Sequence, residues 1–362
     1  MQFRMTFVLV AIFLLNFAVY AAEQNAFSQL VFLTQARINL IKQRIERKQE
    51  PQYSAFLALE AFVKSSRNNE THAPIEWYVP GYYRDAKGHA KSKQGLQDDA
   101  NTAYGLALYY RITGNEAYAT EAARFIDAWA QTVESMSDKD GSTLSFSYHF
   151  PALIFAADLI HTFPKWPISS QERFKQFVRN KALPMNTMDR KNNWGNWGLV
   201  LVLASASYLN DKPLFDRGVE RWKEFIDLQI ADDGHLPHEV NRSEGKRGIW
   251  YTHFSLMPQT IAGEIARVNG VDLFPYQSPG RKNLRIAFEK AARWTLKPSE
   301  FPYFRGAPDE MLGVRYFSYF EILQPRWQNE EAGELLENSR PQSARHSAPF
   351  LTLTHGNLSY DI

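Results

Sequence analysis

Apolar residues recur at intervals of three and four along most of this chain, and that period limits what it can fold into. The stretch 27–47 carries Leu30, Leu33, Ile38 and Ile41 before Pro51 stops it. Residues 53–63 and 98–112 read the same way, the latter ended by Thr113-Gly114. Asn115 then caps 116–133. A helix over 146–163 carries Pro151 near its start, and Ser169-Ser170-Gln171-Glu172 resembles a capping box opening 173–182. Helices are predicted over 193–209, from Asp211-Lys212-Pro213 to Ile230, through Phe254, Met257, Ile261 and Ile265, and over 283–295 and 309–323. Strand-like alternation occurs near Phe350-Leu351-Thr352-Leu353-Thr354. The sum is about ten to twelve helices in consecutive pairs.

A weak internal echo supports the pairing. Tyr104-Gly105-Leu106 leads through Asn115 to Trp129 much as Trp197-Gly198-Leu199 leads through Asn210 to Phe225. Helical hairpins repeated along a chain stack to bury their apolar faces. The copies are too few and too irregular for an open solenoid of standard repeats. The fold class expected is therefore all-α, an (α/α) toroid or incomplete barrel of helical hairpins. Such a ring sets the ends of its inner helices around one cleft.

Arg4, an apolar run from Phe7 to Tyr20 broken by Asn16, and Val19-Tyr20-Ala21 read as a secretory leader over 1–21. The run is shorter than the ~20 residues of a membrane span. The expected organisation is leader, toroid over 22–328, and a polar tail over 329–362 that packs back through a short strand. The protein is expected to be secreted or periplasmic, monomeric, and off the membrane once the leader is removed. The sequence has no cysteine, so disulfides, thiolate metal sites and a thiol nucleophile are absent. A formal net charge of +2 gives no global steering toward nucleic acid. No metal and no cofactor is expected, since the histidines and carboxylates near His235 and His238 match no familiar ligand spacing.

The segment Asn192-Asn193-Trp194-Gly195-Asn196-Trp197-Gly198 points to function. If it is helical, Asn193, Asn196 and Trp197 share a face. A core has little use for so many amides, because an unpaired buried amide costs about 1–3 kcal/mol. A carbohydrate cleft uses amides for hydroxyls and carboxylates, and indoles as stacking platforms. Asn192, Trp194 and Trp197 are accordingly candidates for substrate binding. A second loop, 232–253, brings Arg242, Lys246 and Arg247 close in sequence to Trp250, Tyr251 and His253. Cations beside a phenol favour its ionised form and would pull Tyr251 down toward working pH, where it can act as a general base. The same cations suit an anionic sugar. Tyr82, Tyr83, His89 and Lys93, read as loop residues, and His238 are further substrate-binding candidates, and His149 is a candidate for the chemistry. Asp98-Asp99 read as helix-capping residues.

Several stretches together resemble the alginate lyase superfamily, secreted α/α-toroid polysaccharide lyases that act on uronate polymers. They are Asn192-Asn193, the run from Asp233 to Glu239, the arginines after it, Tyr251-Thr252-His253-Phe254, Asp99 to Trp129, and Ser147-Tyr148-His149-Phe150-Pro151. The resemblance covers residues 75–295 and implies β-elimination on an acidic polysaccharide. It implies that Asn193 and one arginine, Arg242 or Arg247, neutralise the uronate carboxylate. It further implies that Tyr251 takes the proton and returns one to the leaving oxygen. Alginate is the first substrate expected and glucuronan the second. Alginate lyases of this fold carry histidine directly after Asn-Asn, where this chain has Trp194. A branch with Trp at that point is the nearer match, and the imidazole's part is either lost or supplied by His149 or His253. Two other classes stay open: an inverting hydrolase pairing Asp99 with Asp233 or Glu239 at about 6.5–9.5 Å, and a non-catalytic glycan-binding protein.

Overall fold

The structure, a computed structural model, describes residues 31–344 and 346–359; the expected leader lies outside them. Its helices are α1 (Gln35–Glu46), α2 (Gln52–Ser66), α3 (Ala86–Thr113), α4 (Glu116–Thr132), α5 (Ser142–His149), α6 (Pro151–Leu159) and α7 (Ile168–Phe177). They continue as α8 (Asn193–Leu209), α9 (Lys212–Gln229), α10 (Gly248–Val268), α11 (Leu284–Leu296), α12 (Phe320–Trp327), α13 (Glu330–Glu337) and α14 (Leu351–His355). Two short strands, β1 (Glu76–Trp77) and β2 (Ser135–Met136), pair in parallel and tie the loop before α3 to the end of α4.

The helices sort into two layers by how much of each is buried. Every residue of α6 is buried, and so is α8 from Asn193 to Ser207 apart from Trp194. A helix enclosed on all sides must be apolar all round, whereas α4, α9 and α11 bury one stripe and turn charge outward. Neighbour packing runs from α3 to α6, α8, α10, α12, α14 and α2, and returns to α3. That closed circuit is the expected toroid. Both halves of the sequence echo form an inner helix followed by an outer one, α3 with α4 and α8 with α9. Tight caps make the reversals: Gly114 and Asn210 take left-handed conformations at φ 75° and 55°, and Asn115 and Asp211 then accept from Ala117 and Leu214 N–H.

Four expectations need correction. Helix α3 starts at Ala86 rather than near residue 98, because Asp85 caps it by accepting from Gly88 N–H. His89 and Lys93 thus ride on its first turns, and Asp99 sits in mid-helix instead of at a cap. Asp99 is fully buried, accepting from the His72 backbone N–H at 2.7 Å and from Trp129 Nε1 at 2.8 Å. The helix expected over 146–163 is split at Pro151 into α5 and α6. The helix expected over 309–323 begins only at Phe320, since Gly313 at φ 68° interrupts the stretch before it. The tail, expected as polar chain ending in a strand, is instead α13, which buries Ala332, Leu335 and Leu336, and the short helix α14. The alternation in α14 does not put its threonines outside: Thr354 donates to the Phe350 carbonyl and Thr352 to Glu321. Both threonines are therefore buried and satisfied.

Candidate active site

Helix ends and loops on one side of the ring enclose a cleft of about 940 Å³. Its lining comes from the 81–84 turn and the first turns of α3, from α5, from the start of α8, from the loop before α10 and its first two turns, and from residues 313, 315–318, 342–344 and 346. Close backbone contact fixes the start of α8. A Cβ on Gly195 would lie 2.0 Å from the Arg190 carbonyl oxygen, and one on Gly198 would lie 2.5 Å from the Thr187 and Met188 nitrogens. With Asn192 capping the helix by accepting from Trp194 N–H, Asn193 and Trp194 are set at the cleft wall. The Arg190 guanidinium lies 4.2 Å from the Trp194 ring centroid, a cation held over the indole face.

Of the residues singled out in the sequence, the cleft gathers Asn193, Trp194, Arg242, Arg247, Trp250, Tyr251, Tyr82, Tyr83, His89 and Lys93. The Arg242 guanidinium sits 4.5 Å from the Tyr251 ring centroid. Glu239, with 1% of its surface exposed, ties the group together. Its Oε1 accepts from Asn193 Nδ2 at 2.9 Å, from Asn193 N–H at 3.3 Å and from Ser255 Oγ at 3.1 Å. Its Oε2 accepts from Arg242 Nε at 3.3 Å. Lys93 Nζ is 3.4 Å from the Tyr148 hydroxyl, and Arg84 pairs with Asp140 at 2.5 Å. Asp140 is the one carboxylate among the described residues that line the cleft. The Tyr78 hydroxyl and Arg84 hold it below the usual carboxylate range.

The expected depression of Tyr251 is reversed. Burial pushes its phenol up to about 12, and a hydrogen bond with Tyr83 adds to the rise; Arg242 and Arg247 pull the other way and lose. A sequence shows the cations near a tyrosine but not the desolvation that outweighs them. His89 is lowered by burial, its Nδ1 bonded to the Pro80 carbonyl.

Six singled-out residues do not line the cleft. Trp197 is a core residue, packed against Phe254 and Tyr148. Asn192 serves as the α8 cap. Lys246 reaches Glu310 at 3.8 Å, and His238 is exposed. His253 is buried between Tyr319, 3.1 Å from Nδ1, and Thr295, 2.8 Å from Nε2. His149 is buried behind the cleft, its ring stacked on His346 at 5.0 Å. It follows Tyr148, which does line the cleft, and successive side chains on a helix point about 100° apart. The amide argument also needs amending, because the core does use Asn196. It exchanges hydrogen bonds with Gln229 at 2.8 and 2.9 Å, and Gln259 joins at 2.8 Å.

The cleft also holds residues that the sequence did not mark: Arg315, Tyr316 and His346, the last two hydrogen-bonded through the phenol and Nδ1. No local spacing signals them, because they enter from the C-terminal packing. The carboxylate pair of a hydrolase is not assembled here. Asp99 lies in the core, and Asp233 is hydrogen-bonded to His235 and 3.4 Å from Lys290.

The model of one family, alginate lyase, matches residues 40–301. Among curated relatives, an alginate lyase of Pseudomonas fluorescens strain Pf-5 is 30% identical over 138 residues, 38% of this chain and 36% of that one. An alginate lyase of Pseudomonas putida strain GB-1 is 28% identical over 187 residues, 50% of this chain and 46% of that one. The matched stretch thus spans less than half the length of each of these relatives. Among solved structures, alginate lyase A1-III from Sphingomonas species A1 superposes with a TM-score of 0.69 at 18% identity, covering 88% of this chain and 94% of that one. An alginate lyase from Bacteroides ovatus superposes at 0.68 and 16%, covering 88% and 98%. At these identities the structures speak for the fold, and the family match over residues 40–301 of 362 carries the assignment: the chain belongs to the alginate lyase family.

Proposed function

We propose that this protein is a secreted or periplasmic polysaccharide lyase that cleaves a β-1,4-linked uronate polymer by β-elimination, with mannuronate-rich alginate as first substrate and glucuronan as second. The observation that carries the reading is the convergence of Asn193, Arg242 and Arg247 on Tyr251 in a cleft whose described lining holds a single, ion-paired carboxylate. A cleft so poor in free carboxylate suits an anionic polymer better than two-carboxylate hydrolysis.

Elimination needs the proton alpha to the carboxylate made acidic, so the carboxylate charge must be matched by fixed donors. Asn193 and the two arginines fill that role. Tyr251 then takes the C5 proton, the electron pair forms the C4–C5 double bond, the C4–O4 bond breaks, and O4 receives a proton from the same phenol. β-Linked mannuronate and glucuronate present proton and leaving group on one face, which suits one tyrosine. Burial keeps the resting Tyr251 protonated, and the arginines favour the phenolate that acts as base. Trp194, backed by Arg190, offers a sugar platform at the position where related lyases carry histidine. We give the imidazole's part to His346, which lines the cleft on Tyr316, rather than to the buried His149 or His253. The polymer is taken up by a monomer. No described helix is long and apolar enough to cross a membrane.

The test is incubation with polymannuronate, polyguluronate and glucuronan while following ultraviolet absorbance and reducing ends together. A lyase generates an absorbing unsaturated end; a hydrolase raises reducing ends without absorbance; a binding protein does neither. Tyr251→Phe should abolish the absorbance gain with the fold intact, and full activity in that variant would sink the mechanism.

A further inference from the structure

We infer that Glu239 is a positioning residue of this site, a buried carboxylate that aims Asn193 and Arg242 and tempers the positive charge the cleft presents to a uronate; the inference rests on the lyase reading. Glu239 receives four hydrogen bonds, three on Oε1 and one on Oε2. A carboxylate offers about two acceptor sites on each oxygen, so Oε1 is fully engaged and Oε2 is held by Arg242. Glu239 is 1% exposed and does not line the cleft, so it acts through its partners and is neither base nor nucleophile.

Three consequences follow from these bonds. Because Oε1 accepts from Asn193 Nδ2, the amide is held in one of its two orientations, with its second N–H left for the substrate. Because Oε2 accepts from Arg242 Nε, the guanidinium is anchored by its stem side, with its terminal nitrogens left for substrate and its plane near the Tyr251 ring. A loop arginine otherwise samples many rotamers, and ordering it costs free energy at every binding event. Lastly, the Glu239 carboxylate offsets part of the positive charge of Arg242 in a cleft that Arg247, Lys93 and Arg315 also line, which restrains how tightly the substrate anion is held in the ground state.

The groups facing Tyr251 are Tyr83 from the 81–84 turn and Arg242 and Arg247 from the loop before α10; Tyr82, Arg84 with its partner Asp140, His89, Lys93, Tyr148, Arg315, Tyr316 and His346 line the same cleft. Removing the Glu239 charge leaves this set more positive. Glu239→Gln keeps shape and lets the Gln oxygen accept from Asn193 and Ser255, but it turns an N–H toward Arg242 Nε and releases that arginine. On polymannuronate, kcat should fall roughly a hundredfold, the loss that a misplacement of about 1 Å brings. KM should stay level or fall, and the ascending limb of the rate–pH profile, which reports loss of the Tyr251 proton, should move to lower pH. A merely structural role would lower the active fraction and leave both KM and that limb in place. If E239Q does not fold, Ser255→Ala, which removes one donor from Oε1, carries the test through a several-fold fall in kcat at level KM. A kcat within about twofold of the parent in the variant used, or a loss in E239Q with the limb unmoved, overturns the inference. Failure of the lyase reading is a different result: the unaltered protein would produce no unsaturated ends from any uronate polymer.

Discussion

Replacing Arg340 by methionine should destabilise the fold by about 3–5 kcal/mol, the cost of leaving a buried charge without its partner. The Arg340 side chain is 13% exposed and that of Glu321 is 0%. Arg340 Nε donates to Glu321 Oε1 at 2.9 Å and Oε2 at 3.2 Å, and Nη2 donates to Oε2 at 2.7 Å and to Asn357 Oδ1 at 2.9 Å. Methionine keeps most of the aliphatic stem and removes the fork, so packing is nearly conserved and the loss is electrostatic. The stranded carboxylate retains the Thr352 hydroxyl. The same fork holds the C-terminal strap that delivers Gln342, Ser343, Ala344 and His346 to the cleft, pinned beyond by Ser347, whose N–H and hydroxyl donate to the Tyr148 carbonyl at 2.8 and 3.0 Å. Lyase activity should therefore fall along with stability. Urea unfolding followed by tryptophan fluorescence reads the first effect and the unsaturated-end assay the second. The double variant R340M with Glu321→Leu, which removes both charges, should regain most of the loss. A loss under about 1 kcal/mol, or a double variant no more stable than the single one, refutes the reasoning.

Two further outcomes concern pH. Burial holds His253 down to about 3, well below its unfolded value near 6.5, so its stabilising share is complete above about pH 6.5 and is lost as pH falls toward 3 at about 1.4 kcal/mol per unit. His253→Asn should flatten the fall in unfolding free energy between pH 6 and 4 by about one proton's worth, and an unchanged slope in urea titrations counts against it. Asp158 behaves in the opposite sense. Burial raises it to about 8 against the pull of the Val31 N–H and Arg111, so its share is present below about pH 4 and is lost as pH rises through 8. Asp158→Asn should gain stability over the parent at pH 8 and little at pH 4; equal shifts at both pH values would contradict this.

What the sequence made legible follows from where the information sits. The inner helices are enclosed, so their apolar runs announce them, and α8 and α9 are found almost residue for residue because Asn192, Asn210 and Asp211 are local caps. Polar α3 residues 86–97 hide a helix, because they line the cleft and carry no apolar stripe of their own. Tyr251, Asn193 and the arginines stand out because each lies in a cluster of unusual composition. Tyr316 and His346 stand in ordinary surroundings, and long-range contacts such as the Arg340–Glu321 fork and the Ser347 bonds to Tyr148, with the turn at Gly313, bring them in.

Glu239 shows the limit most sharply. By composition it belongs to an acidic, histidine-bearing loop that invites a metal or hydrolase reading, and nothing local connects it to an asparagine 46 residues earlier. The amides of the Asn-Asn-Trp segment also differ in where they sit. Asn192 is spent on the helix cap and Asn196 on Gln229, so Asn193 alone of the three lines the cleft, and it does so with one N–H already committed to Glu239. A motif of three amides therefore delivers a single directed donor, and the direction is set by a carboxylate outside the motif. Transferring function by motif alone would carry the asparagine across and leave behind the residue that aims it.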